Sequence, residues 1–77
     1  MTTNQVCLVI MFQGIIDRIY TFTQDQKGIK QCEDKFFQMV KEYCGENISA
    51  VNVDEFIDNY GYDYEDNKYL IQMIFSF

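Results

Sequence analysis

The side chains with most chemistry to offer are three cysteines, Cys7, Cys32 and Cys44, and twelve carboxylates; the 77-residue chain has no histidine. A cysteine attacks only as thiolate, which needs a neighbouring base or a helix N-terminus. Cys32 falls on the apolar stripe of a predicted helix, Cys44 near that helix's C-terminus and Cys7 inside a predicted strand. None of these settings favours a thiolate. A structural zinc site draws four ligands from Cys and His, and three cysteines without a C-x-x-C spacing and no histidine do not supply them. Three unpaired thiols suit a reducing cytosol.

The carboxylates offer acid–base or calcium chemistry. Asp54 and Asp58 stand at helical i, i+4 spacing, but a carboxylate pair on a short exposed helix is ordinarily surface charge. An EF-hand loop needs Gly at its sixth position and Glu at its twelfth. Counting from Asp63, those positions hold Lys68 and Ile74; counting from Asp58, the third and fifth are both Tyr. The four glycines, at 14, 28, 45 and 61, form no phosphate loop. No catalytic, cofactor-binding or metal-ligating residue is assigned, and the chain is not expected to be an enzyme.

Carboxylates can also act together as a surface. Net charge is −6, unevenly spread: residues 42–67 carry eight acids and no Lys or Arg. Such a field repels nucleic acid and anionic membranes and attracts basic protein surfaces. Within it, Asp54, Asp58, Asp63, Glu65 and Asp66 interleave with Tyr60, Tyr62 and Tyr64. These eight residues form a candidate partner surface, the tyrosines acting as anchors. The sharpest use of such a surface is mimicry of nucleic acid, inhibiting a basic DNA- or RNA-binding protein. The plainer one is a solvated acidic face with its rings packed on the core.

The elements that position these residues follow from periodicity. Val6 to Phe12 is a seven-residue apolar run rich in strand formers. Gln13-Gly14 fits a tight turn, making residues 5–22 a hairpin. On its second strand Ile16, Arg18, Tyr20 and Phe22 share one face and Ile15, Asp17, Ile19 and Thr21 the other. Charges on both faces mark an edge. Ile29, Cys32, Phe36, Val40 and Tyr43 recur at helical spacing, predicting a helix over 26–44. It opens on a Thr23–Gln26 capping box and closes on a left-handed Gly45. Gly28 is its weak point, costing about 1 kcal/mol inside a helix.

Residues 46–52 read as a connector and 53–60 as a short helix, capped by Asn52 and ended by Gly61. Residues 62–67 read as an acidic loop. Residues 68–77 read as a last strand with Tyr69, Ile71, Met73, Phe75 and Phe77 on one face and Leu70, Gln72, Ile74 and Ser76 on the other.

The expected fold is α+β, in the order β-β-α-(short α)-β. Its three-stranded antiparallel sheet runs 2-1-3, with the long helix on one face, and forms one domain over residues 1–77. The first strand takes the centre, where an almost continuous apolar run is expected if both faces are covered. One helix covers only one face. Either the short helix folds across the other or a second copy does, and Cys7, Val9, Met11, Leu70 and Ile74 are the candidate self-association face.

A chain this short buries only about 60–65% of its unfolded surface, and one without disulfide or metal gains stability by oligomerising. No apolar run approaches the ~20 residues of a membrane span, and MTTNQ lacks a basic leader region. The expectation is a small acidic cytoplasmic homodimer that works as a protein-binding or regulatory module. A nucleic-acid mimic is the alternative and an enzyme a distant third.

Overall fold

A computed structural model describes residues 4–45, 48 and 50–75. Its elements are β1 (Gln5–Phe12), β2 (Ile15–Thr23), α1 (Gln26–Cys44), α2 (Val53–Tyr60), β3 (Asp63–Glu65) and β4 (Tyr69–Phe75). The chain is α+β, with a long helix on an antiparallel sheet. That sheet has four strands in the order β2-β1-β4-β3, not three. The extra strand, β3, lies within the segment expected to be an acidic loop. Ser76 and Phe77 of the expected last strand, and residues 46, 47 and 49 of the expected connector, lie outside the described residues.

β1 takes the centre, paired antiparallel to β2 on one side and to β4 on the other. The hairpin turns through Gln13 (φ 52°) and Gly14 (φ 83°), the two positive φ values of a type I′ turn, whose twist matches the strands it joins. One irregularity re-aims its second strand. Ile10 pairs with Arg18 and Met11 with Ile16, so Asp17 bulges out unpaired. The bulge corrects the expected faces: Ile16 joins Ile19 and Thr21, while Ile15 falls with Arg18.

Val6, Leu8 and Ile10 of β1 are fully buried, with Ile71 and Met73 of β4. α1 covers this face with Cys32, Phe36, Met39, Val40 and Cys44. Its cap is Asp25, whose Oδ1 accepts from the Gly28 N–H at 2.7 Å, in place of the Thr23–Gln26 box. Thr23 is not free for that task, because it pairs with Gln5 as the last residue of β2. Gly45 is right-handed (φ −57°), not the left-handed cap expected.

α2 is capped by Asn52, which accepts from the Glu55 N–H at 2.8 Å. Phe56, its one buried residue, sets its edge on Phe36 with ring centroids 5.1 Å apart and leans on Phe37. α2 therefore packs on the α1 side of the sheet. Of the two covers expected for the other face, the short helix is not one.

Candidate functional site

The side of the sheet away from the helices has no cover within the described chain. Strand alternation turns Cys7, Val9 and Met11 of β1 to it. Register then sets Thr21 and Ile74 beside Cys7, Ile19 and Gln72 beside Val9, and Ile16 and Leu70 beside Met11. Ile16, Ile19 and Ile74 are 56%, 54% and 46% exposed. Ile16 and Ile19 lie on one face of β2, and Ile74 stands across β1 from them, beside Cys7. Cys7, Val9 and Met11 are half-buried because strands flank them on both sides. The expected self-association residues Cys7, Val9, Met11, Leu70 and Ile74 are thus neighbours on one face. Ile16 and Ile19 belong with them and were missed, since strict alternation puts them on opposite faces and only the bulge unites them.

β3 adds acidic groups at one margin of the face. β3 pairs with β4, Asp63 beside Gln72 and Glu65 beside Leu70, so both acids point to the uncovered side. Gln72 Nε2 donates to Asp63 Oδ1 at 3.1 Å.

The structure disperses the expected acidic and aromatic surface. Tyr64 lies on the helix side and is only 7% exposed, so burial pushes its hydroxyl pKa up. Tyr60 packs between Phe56 and Tyr64. Tyr62 is exposed, but its ring sits on Phe75 and its hydroxyl donates to Glu33 at 3.3 Å. Asp54 lies 4.0 Å from the Lys30 ammonium, and Asp58 is exposed on α2. Asp54 and Asp58 are therefore on the helix side, with the sheet between them and Asp63 and Glu65.

Asp66 has a local structural task. Its Oδ1 accepts from the Lys68 and Tyr69 N–H groups at 2.8 and 2.7 Å, closing the β3–β4 turn. The Tyr69 N–H foremost, then the Cys44 thiol, hold its carboxyl below the ordinary value.

The thiols differ sharply. Burial pushes Cys32 up to about 12; Cys44 also reaches about 12, through burial and then the adjoining Asp66. Cys7 is the half-buried one, on the uncovered face. An open groove of about 640 Å³ runs between the end of α1 and the β3–β4 turn, lined by Lys41, Tyr43, Cys44, Asp66 and Lys68 among others. A protonated thiol tied to a turn carboxylate gives that groove no nucleophile. Among the described residues, no three side chains of His, Cys, Asp or Glu converge as a metal site. No helix among them is long and apolar enough to cross a membrane. Compared with known proteins, the chain matches no family model, no curated protein and no solved structure.

Proposed function

We propose that this chain is a self-associating protein-binding module of the reducing cytoplasm, docking through the uncovered face of its sheet. The observation that carries the reading is the exposure of Ile16, Ile19 and Ile74 around half-buried Cys7, Val9 and Met11. Continuous apolar surface of this kind marks contacts in folded proteins. A chain with one small core also stands to gain stability from covering it. The mimicry alternative draws less support, because Tyr60 and Tyr64 pack inward and the carboxylates divide between two sides of the sheet.

Sedimentation velocity from low micromolar to near-millimolar chain tests the proposal. The weight-average mass is expected to rise from 9.2 kDa towards twice that value. A particle of 9.2 kDa at every concentration would overturn it.

A further inference from the structure

Resting on that self-association, we infer that the occupant of the uncovered face is a second copy stacked face to face, β1 over β1, with β3 overhanging into solvent. Two-fold symmetry allows either face stacking or edge pairing, and the two edges are both guarded. The β2 edge is broken by the Asp17 bulge and carries Arg18 beside it. The β3 edge is three residues long, with Asp63 and Glu65 among them. Bulges, charges and short strands are the devices that keep sheet edges from pairing. The face offers more apolar surface than either edge: across β2, β1 and β4 its paired positions hold Ile, Thr, Cys, Val, Met, Leu and Gln, with the Asp17 bulge at the β2 margin.

Charge also chooses the symmetry axis. Each copy carries −6, so a contact that buries carboxylates is penalised. A two-fold axis running across the strands would set β3 over β3, Asp63 and Glu65 against their own counterparts. An axis running along β1 sets β2 over β4 and leaves β3 outside the overlap. That arrangement keeps Asp63 and Glu65 out of the contact. It is an aligned sheet sandwich, for which layers about 10 Å apart and crossing near 30° are the rule.

The area is sufficient for a reversible pair. Three strands at ~4.8 Å spacing and about seven residues at ~3.3 Å rise give a projected patch of about 330 Å² per copy. With side-chain relief, the pair buries on the order of 1,000 Å², the low end of specific interfaces.

Cys7 makes the test internal. It lies on β1 at the proposed axis, whereas Cys32 and Cys44 are buried and protonated. The full chain is pulsed with a maleimide at increasing protein concentration, and modified Cys7 is counted by mass spectrometry beside sedimentation of the same samples. Labelling of Cys7 is expected to slow about tenfold once chain exceeds its dissociation constant by about a hundredfold. Ile19→Lys is expected to abolish both the slowing and the dimer. Ile19 is more than half exposed, so the urea midpoint of dilute, monomeric chain should stay unchanged.

A dimer in which Cys7 labels as fast as in dilute chain would overturn face stacking while leaving self-association standing, as edge pairing through β2 would produce. A dimer that survives Ile19→Lys would do the same. Monomer throughout would overturn both.

Discussion

Gly28→Ala sets two physical rules against each other. Helix propensity alone predicts that Ala at this position stabilises α1 by about 1 kcal/mol. The structure predicts the opposite. Gly28 is buried in the first turn, its N–H held by Asp25 at 2.7 Å. A methyl group there runs into the Thr23 carbonyl oxygen, with Thr23 Oγ1 at 2.6 Å and the carbonyl carbon at 2.7 Å. Thr23 is the last paired residue of β2, opposite Gln5, so it yields only if the strand-to-helix junction opens. Overpacking of this kind costs about 1–3 kcal/mol, and losing the Asp25 cap adds about 1 kcal/mol. Against the propensity gain, the net is a loss of about 2 kcal/mol. That is a large part of the ~5 kcal/mol typical of so small a fold, and lowers Tm by about 10 °C. Urea unfolding at one dilute concentration measures it. Gly45→Ala is the control: Gly45 is right-handed with nothing within 4 Å of the added methyl, and its midpoint should hold or rise slightly. A Gly28→Ala chain as stable as its parent would refute the reasoning.

Phe56→Ala removes the one fully buried ring of α2 and should cost about 3–5 kcal/mol, with limited proteolysis cutting first within 53–60; an uncut α2 at parental stability would contradict the packing described. Asp66 gives a pH dependence of known sign: its folded pKa is depressed below 3.8, so its contribution is complete above the unfolded pKa and disappears as pH falls through the folded one. The urea midpoint should therefore drop between about pH 5 and pH 2, and Asp66→Asn should flatten that drop; an identical profile in the variant would show that the turn carboxylate contributes nothing.

Where one period dominates, sequence and structure agree. Seven of the eight β1 residues are apolar or sulfur-bearing, and the strand is central. The 3.6-residue stripe of α1 gives a helix over Gln26–Cys44 as expected, with Cys32, Phe36 and Val40 in the core. Errors fall where a local interaction breaks the period. The β2 faces were misassigned because one inserted residue, Asp17, reverses alternation beyond it, and a bulge has no pattern of its own in a nine-residue strand. The strand β3 was missed because Asp and Glu are poor strand formers. Its signal was present nonetheless. Tyr64 alternates with Asp63 and Glu65, and Asp66-Asn67 is turn chemistry ahead of an apolar strand.

The candidate surfaces separate along the same line. Five carboxylates with three interleaved tyrosines look like one acidic surface when read along the chain, because sequence proximity stands in for spatial proximity. A strand undoes that, since alternate residues go to opposite faces. Tyr64 goes to the core while Asp63 and Glu65 go to the far side, so the tract that supplies the charge also supplies a fourth strand. The apolar face depends on the reverse effect. Residues drawn from β1, β2 and β4, more than sixty positions apart at the extremes, become neighbours through antiparallel register. β3 then adds Asp63 and Glu65 at one margin of this face and forms the sheet's second edge. The β3 acids and the exposed isoleucines are in this way kept on adjoining but distinct strands of a chain of charge −6.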